Sequence, residues 1–355
     1  MVTLLAFLAL IGSTGAPPKH PARAVGPKVL VYYDMEGISG IKAARQVLYP
    51  QPEYQAARHF LTGDLNAAIA GLKAGGAGEI VVTDAHGSGN DTGPDVLLNL
   101  LDKRATFLWK DHPFDPYMDS PDSSFQAIIC IGMHARAGTD GFMAHTVTVE
   151  PAYRVNGRLI TETSIVAYSA GRFGIPVIMV SGDNILRDQI KDEFPAVEYA
   201  TVKTARGRAH ADVLPEATAW AAIRKAAQAA IENLPQMKPV PVASSYRFEV
   251  SYLNKLEADL AAGAASQSER VDSLTIGYTT PDFVSGYNRS NQMTQAAGLE
   301  RLRLMAQAAM ASPSAASIRA DFLMRVLQTW LEPEKTPKPK APPASAAKKR
   351  YHGDS

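Results

Sequence analysis

The chain has 355 residues, of which 46% are hydrophobic and 20% are charged, and this composition is typical of a globular protein and excludes a chain that is disordered throughout. Its 36 lysines and arginines against 35 acidic residues give a net charge of +1, so no overall field would hold it on nucleic acid or on an anionic membrane, and we expect no nucleic-acid partner. The single cysteine, Cys130, excludes an intrachain disulfide and a thiolate zinc cluster, so a bound metal would need His, Asp and Glu ligands.

The first segment, residues 1–27, has the features of a leader or signal segment. Positions 4–11 form an unbroken apolar run, and small residues follow it. The run is shorter than the roughly 20 residues that span a bilayer, so we expect no permanent membrane span. A signal peptide would make the protein periplasmic or secreted. The absence of Lys or Arg before the run leaves a cytoplasmic protein as the alternative.

Apolar runs alternate with helical patterns between residues 28 and 240. Because the runs lack polar alternation, each predicted strand is covered on both faces, which is typical of a mostly parallel sheet flanked by helices. The predicted fold class is therefore α/β. The predicted strands are 29–33, 79–83, 125–131, 175–180 and 197–203, and the predicted helices are 53–74, 162–172 and 215–234.

A proline-punctuated linker at 235–242 separates this region from the rest of the chain. After it we expect a smaller C-terminal α+β subdomain, with a strand at 246–252 followed by mostly helical sequence. The last residues are rich in Pro, Lys and Ala without apolar periodicity, and such sequences are typical of disorder. The predicted organisation is a leader at 1–27, a main α/β domain at 28–240, a C-terminal subdomain at 241–331 and a disordered tail at 332–355.

Polar residues follow four of the predicted strands at the point where each strand ends. The carboxyl ends of parallel strands lie along one edge of a sheet, where open α/β folds bind their ligands. Residues two positions apart project to the same side of an extended segment, so Asp34 pairs with Glu36, and Asp84 pairs with His86. The polar residues at these strand ends are Asp34, Glu36, Asp84, His86, His134 and Asp183.

These carboxylates and imidazoles predict a divalent metal site. Adjacent carboxylates repel each other unless a cation neutralises them, and neutral imidazole is a good ligand for borderline metals. Nitrogen and oxygen ligands without thiolate favour zinc, followed by manganese or iron. Each of these residues, taken singly, also has an explanation without a metal. Asp34 would cap a turn, His86 and His134 would bind backbone groups, and Glu36 would lie in solvent.

Five motifs occur in order along the chain: Asp34-Met-Glu-Gly-Ile-Ser-Gly40, Asp84-Ala-His86, Gly132-Met-His134-Ala-Arg-Ala137, Phe142-Met-Ala-His145-Thr146 and Thr161-Glu162. Their content and order resemble those of the zinc-dependent D-aminopeptidases associated with bacterial dipeptide transport. The similarity is clear over residues 28–205 and weak beyond them. The resemblance implies an α/β subunit with two zinc ions and a ring-based homo-oligomer, with a decamer as one candidate. It also implies that 28–240 is the metal-binding catalytic domain.

The resemblance also assigns roles to individual residues. It makes Asp34 the carboxylate that bridges the two metals, and it gives His145 the catalytic role beside them, as base, proton donor or oxyanion donor. Without the resemblance, Glu162 would be interpreted as an acid that stabilises a helix N-terminus, and His145 as an ordinary surface histidine. The implied metal ligands are Asp34, Glu36, His86, His134 and Glu162.

The function that the resemblance implies is hydrolysis of the N-terminal residue, with D-Ala as the expected case, from short peptides by a metal-bound hydroxide. Two alternatives stay open: a dinuclear metallohydrolase of the same fold that acts on another amide or a phosphoester, and a non-catalytic envelope binding protein. Asp84 and Asp183 are candidates to orient a ligand imidazole. Arg136 either binds a substrate carboxylate or braces its loop.

Overall fold

The computed structural model describes residues 26–311 except 91, 111–116, 118–119, 149–150 and 265–266, together with Met324 and Tyr351. The predicted leader lies outside the described residues apart from Gly26 and Pro27. The predicted disordered tail also lies outside them apart from Tyr351, which is buried. Within this described part of the chain, no helix has the length and apolar composition that a membrane span needs.

Twelve strands of the described residues form two sheets. In chain order they are β1 (Val29–Tyr33), β2 (Ile80–Asp84), β3 (Thr106–Phe107), β4 (Ala127–Met133), β5 (Ala152–Val155), β6 (Arg158–Leu159), β7 (Val177–Asp183), β8 (Glu198–Ala205), β9 (Ala211–Val213), β10 (Tyr246–Ser251), β11 (Glu269–Arg270) and β12 (Thr275–Thr280). The first sheet has the order β3-β2-β1-β4-β7-β8-β9, and all its pairs are parallel except β8 with β9. This confirms the predicted α/β class.

Strand β1 is the point where the strand order changes direction, because β2 lies on one side of it and β4 on the other. Every residue of β1, β2 and β4 is buried. Their apolar runs are unbroken because both faces of the first sheet are covered by other elements of the fold. In doubly wound sheets, the crevice at such a reversal is where ligands bind. The fold therefore places a site at the carboxyl ends of these three strands.

Six helices of the described residues cover the sheets. They are α1 (Tyr54–Ala74), α2 (Glu162–Gly171), α3 (Asn184–Ile190), α4 (Glu216–Glu232), α5 (Lys255–Ala264) and α6 (Phe283–Ala311). The apolar sides of α1 and α4 pack together with one face of the first sheet in a single core. The other face of that sheet shares a second core with α2 and with the strands of the second sheet.

The second sheet is antiparallel, with the order β11-β12-β10-β5-β6. It joins strands of the C-terminal region to the β5–β6 hairpin, which precedes α2 in the chain. The predicted subdomain thus shares its sheet with residues of the main α/β domain. The boundary at residue 241 stays a prediction.

Candidate metal centre

Asp34 and Glu36 lie in the tight loop that follows β1. The Gly37 N–H donates to the Gly132 carbonyl at 2.7 Å, so this loop packs directly against the end of β4. A Cβ atom on Gly37 would lie 1.9 Å from the Met133 carbonyl oxygen, and one on Gly132 would lie 2.2 Å from the Asp34 carbonyl oxygen. Only glycine fits at these two positions, and the fit brings the polar residues after β1 and β4 together.

A buried lysine on β8 fixes the same loop. Lys203 Nζ donates to the carbonyl oxygens of Glu36 at 2.6 Å and Ile41 at 2.8 Å. Burial lowers the pKa of Lys203 to about 7, although Asp64 and other carboxylates oppose the shift. The sequence reasoning missed Lys203, whose only signal was a lysine within a predicted strand. Its partners lie far away in the chain.

His86 follows β2 and faces both carboxylates of the β1 loop. Its Nδ1 atom lies 3.1 Å from Asp34 Oδ1 and 3.1 Å from Glu36 Oε2. Its Nε2 atom lies 2.8 Å from the Val47 carbonyl oxygen, which can only accept a hydrogen bond, so Nε2 carries the proton in the neutral ring. Neutral His86 therefore presents the lone pair of Nδ1 to two carboxylate oxygens.

His134 and Glu162 form a second group on the other side of Asp34. His134 follows β4, and its Nε2 atom lies 3.2 Å from Asp34 Oδ2 and 3.2 Å from Glu162 Oε2. Its Nδ1 atom lies 3.0 Å from the Ala135 carbonyl oxygen, so Nδ1 is the donor of the neutral ring. Asp34 thus turns one carboxylate oxygen toward His86 and the other toward His134.

The carboxylate of Glu162 is oriented by two donors. Glu162 is the first residue of α2, and its Oε1 accepts from the Val147 N–H at 2.6 Å. The Tyr117 hydroxyl donates to its Oε2, also at 2.6 Å. Tyr117 was missed in the sequence because it lies in a stretch without periodicity between β3 and β4. No local pattern pointed to it.

His145 lies beside the second group on a strained loop. Its ring stacks on that of His134, with centroids 4.0 Å apart and planes 11° apart. Nδ1 lies 2.8 Å from the Met143 carbonyl oxygen, and Nε2 lies 3.8 Å from Glu162 Oε1. Met143 and Val147 adopt positive φ angles of 51° and 64°, a conformation that is costly for side chains with a Cβ and is enriched at functional sites. The loop therefore fixes the direction of the His145 ring.

The two aspartates proposed to orient an imidazole accept hydrogen bonds from backbone N–H groups of the segments that carry the histidines, and not from an imidazole ring among the described contacts. Asp84 Oδ1 accepts from the His86 N–H at 2.9 Å and so holds the turn that carries the histidine. Asp183 caps α3 through the Leu186 N–H at 2.8 Å. Its other oxygen accepts from the Phe142 N–H at 3.0 Å, at the start of the loop that carries His145.

The charges of the site favour a cation between its groups. Burial and the neighbouring Glu36 raise the pKa of Asp34 to about 6. Burial opposes ionisation of Glu36, but His86 outweighs it and holds the pKa of Glu36 well below its usual value. Burial likewise would lower the pKa of His86 and His134, yet the carboxylates beside them raise it well above the usual value. Positive charge between these groups is therefore strongly stabilised.

The donor atoms fit metal ions. The buried Glu36 Oε2 and His134 Nε2 atoms have no hydrogen-bond partner among the described residues. Each histidine is held at one nitrogen by a backbone carbonyl and aims the other at carboxylates, which is the usual arrangement of metal-binding histidines. Nitrogen and oxygen donors suit zinc. The possible metal-ligating atoms form two groups, and within each group they lie within 4.8 Å of one another. The first group is Asp34, Glu36 and His86, and the second is His134, His145 and Glu162.

A cavity of about 500 Å³ opens onto these groups. Ala44, Leu48 and Met143 form part of its wall. Among the described residues that line it, Arg208 is the only one with a lysine or arginine side chain. The volume lies within the range of about 300–1,000 Å³ that small-molecule sites occupy. Arg136 is not among the described lining residues, and its N–H donates to Gln189. The hydrogen bond to Gln189 comes from the backbone, and the side-chain Nε of Arg136 has no hydrogen-bond partner among the described residues, so both alternatives for Arg136 stay predictions.

Comparisons with known proteins identify the family of the chain. The sequence model of peptidase family M55, D-aminopeptidase, matches residues 28–291. A D-aminopeptidase of Bacillus subtilis (strain 168) is 26% identical over 272 residues, which cover 76% of this chain and 97% of that protein. The fold also matches the solved structure of the Zn-dependent D-aminopeptidase DppA from Bacillus subtilis, which is described as a self-compartmentalizing protease. The TM-score is 0.70 and the sequence identity 25%, and the match covers 76% of this chain and 97% of that one. The chain therefore belongs to the D-aminopeptidase family and is a metallo-aminopeptidase.

Proposed function

We propose that the protein is a dinuclear zinc aminopeptidase that releases a D-configured N-terminal residue, D-Ala in the first instance, from short peptides. One observation carries the proposal: Asp34 lies between two groups of donors, with Oδ1 at 3.1 Å from His86 and Oδ2 at 3.2 Å from His134. A carboxylate in this position can serve two ions at once. The proposed ligands are Asp34, Glu36, His86, His134 and Glu162.

Zinc held by these ligands would lower the pKa of a water molecule toward about 7 and polarise the scissile carbonyl. The chain's own contribution is to hold the ligands rigidly. Glu162 receives a hydrogen bond on each oxygen, and each proposed histidine ligand is anchored to a backbone carbonyl. Such anchoring fixes ring orientation and tautomer, and it raises the basicity of the ligand nitrogen.

His145 is proposed as the group that moves protons. Its Nδ1 faces the Met143 carbonyl oxygen and therefore carries the proton in the neutral ring, which leaves the Nε2 lone pair free to accept one. The ring lines the cavity and is less buried than that of His134. Nε2 can take a proton from the attacking water and later give it to the leaving amine nitrogen. This assigns His145 the base and acid roles in turn.

Short peptides fit the cavity better than folded chains do. Its volume of about 500 Å³ holds only a few residues. Arg208 is placed beside the catalytic loop, because its carbonyl oxygen accepts from the Met143 N–H at 2.9 Å. Its Nε donates to the Thr139 carbonyl, which leaves the outer guanidinium nitrogens to bind the C-terminal carboxylate of a dipeptide or tripeptide.

The D-configuration rests on the family and on the D-aminopeptidase activity named for its Bacillus subtilis relatives. Assembly into a closed homo-oligomer is proposed on the same ground, since DppA is described as self-compartmentalizing. A periplasmic or secreted location is proposed from the apolar run and small residues of the leader. Light scattering measures the oligomeric mass, and N-terminal sequencing of the native protein shows whether the leader is cleaved.

The test compares three substrates with purified zinc-loaded protein: D-Ala-D-Ala, L-Ala-L-Ala and 4-nitrophenyl phosphate. We expect the highest kcat/KM for D-Ala-D-Ala and loss of turnover after zinc is removed with a chelator. Faster cleavage of the L-peptide would overturn the D-configuration. Turnover of the phosphoester alone would favour a different metallohydrolase. Binding of D-Ala-D-Ala without any turnover would favour a binding protein.

A further inference from the structure

Tyr351 lies beyond residue 291, where the match to the family ends, yet it is buried against β3 of the first sheet. It is only 2% exposed. Its ring lies 5.1 Å from that of Trp109 in an edge-on contact and 6.5 Å from that of Phe107 on β3. A residue from the end of the chain is thus buried at the same sheet edge that carries the metal centre.

The hydroxyl of Tyr351 donates a hydrogen bond to Asp84 Oδ2. The other oxygen of that carboxylate, Oδ1, accepts from the His86 N–H at 2.9 Å. Lys110 Nζ donates to the Asp84 carbonyl oxygen at 2.7 Å. Asp84 therefore links Tyr351 on one side to the backbone of a proposed zinc ligand on the other. Asp84 as a residue is 1% exposed, so loss of the tyrosine hydroxyl would leave a buried acceptor oxygen with one hydrogen bond fewer, which costs free energy.

The ring and the hydroxyl of Tyr351 have different roles, because the ring packs against aromatic residues and the hydroxyl binds Asp84. Packing against Trp109 and Phe107 requires only the ring, and a phenylalanine would supply it equally well. The hydroxyl is directed at Asp84, and Tyr351 is not among the described residues that line the cavity. It therefore touches neither substrate nor metal. The contact of the hydroxyl that leads to the metal centre is the one with Asp84, which in turn binds the His86 N–H.

We propose that Tyr351 is a positioning residue, whose hydroxyl fixes Asp84 and thereby holds His86 where it completes the zinc site formed with Asp34 and Glu36. The C-terminal end of the chain then contributes to the metal centre of the domain matched by the family. The proposal rests on the proposed zinc function. Groups that support ligands in this indirect way typically change metal affinity by about 10- to 100-fold.

The test is zinc affinity in Tyr351→Phe, measured by competition with a chromophoric chelator. We expect one of the two zinc dissociation constants to rise about 10- to 100-fold while the other stays unchanged. With D-Ala-D-Ala as substrate, kcat should fall at limiting zinc, KM should stay constant, and excess zinc should restore kcat. The matched control is Tyr278→Phe, which removes a buried hydroxyl on β12 of the second sheet that donates to the Gly286 carbonyl on α6. It should leave both constants unchanged.

A second comparison tests the route through Asp84. Adding Tyr351→Phe to Asp84→Asn should weaken zinc binding no further than Asp84→Asn alone, since both changes break the same link. Unchanged zinc constants in Tyr351→Phe, or a further loss in the double variant, would overturn the proposal. Zinc affinity does not depend on the substrate. A protein that hydrolyses no D-peptide but loses zinc affinity in Tyr351→Phe would refute the proposed function and leave this inference standing.

Discussion

The imidazole rings of His134 and His145 are stacked 4.0 Å apart, but their outward nitrogens meet different surroundings. His134 Nε2 lies 3.2 Å from oxygens of both Asp34 and Glu162, whereas among the described carboxylates His145 Nε2 approaches Glu162 alone, at 3.8 Å. His145 is also the more exposed of the two rings. This difference is the reason why the proposed function makes His134 a ligand and His145 a proton carrier, although both belong to the same group of possible metal ligands.

The first prediction separates these roles. His145→Ala should keep two zinc ions per chain and lose about a hundred- to ten-thousandfold in kcat, since a positioned acid or base contributes that much. Elemental analysis and kinetics with D-Ala-D-Ala measure the two quantities. The matched control is His59→Ala on the exposed side of α1, which should change neither. Loss of a zinc ion from His145→Ala would instead make His145 a ligand.

The second prediction concerns the shared carboxylate. Asp34→Asn removes the negative charge between the two groups of donors, so both zinc ions should bind more weakly. His86→Ala removes a donor from one group only, and it should leave one ion bound tightly. Isothermal titration of the zinc-free protein with zinc gives the stoichiometry of each variant. Equal loss of both ions in the two variants would contradict a bridging role for Asp34.

Four of the site residues could be predicted from the sequence because of how parallel sheets are built. Asp34, Glu36, His86 and His134 each follow a buried strand, and the carboxyl ends of those strands meet at one edge. The predicted strand 29–33 matches β1 residue for residue, while β4 and β7 end later than expected, at Met133 and Asp183. Glycine interrupts each apolar run, at Gly132 in β4 and at Gly182 after Ser181 in β7, although the backbone continues to pair.

The other contributors could not be derived from periodicity. Glu162 lies on a helix and His145 on a loop, and nothing in the local pattern tells how either is placed relative to the sheet. Only the resemblance to a family identified them. Tyr117 and Lys203 bind groups from distant parts of the chain, and such contacts depend on the assembled fold. Tyr351 lies in a segment whose composition predicted disorder, yet its own side chain is buried.

The third prediction follows from a buried carboxylate outside the metal centre. Asp64 on α1 accepts hydrogen bonds from the Ser39 N–H and hydroxyl, and burial raises its pKa from 3.8 to about 6 despite them. The folded state therefore keeps this proton at pH values where the unfolded chain releases it. The resulting stabilisation is fully present below about pH 3.8 and is lost as the pH rises through about 6.

The measurement is urea unfolding of the wild type and Asp64→Asn at pH 4 and pH 7, with chelator present so that zinc loss does not contribute. The advantage of the wild type over the variant in free energy of unfolding should shrink from pH 4 to pH 7. The pKa shift sets an upper limit of roughly 3 kcal/mol for the change. A difference between the two proteins that stays constant with pH would contradict the buried, proton-holding state of Asp64.

The last prediction tests how the substrate is held. If the guanidinium of Arg208 binds the C-terminal carboxylate, Arg208→Gln should raise KM for D-Ala-D-Ala about 10- to 100-fold, because a hydrogen bond between charged groups contributes about 1.5–3 kcal/mol. The variant should treat D-Ala-D-Ala amide as the wild type does, since that substrate carries no carboxylate. Arg206→Gln is the matched control, because Arg206 is exposed, pairs with Asp212 and is not among the described lining residues. A rise in KM of equal size for acid and amide would show that Arg208 shapes the cavity without recognising the carboxylate.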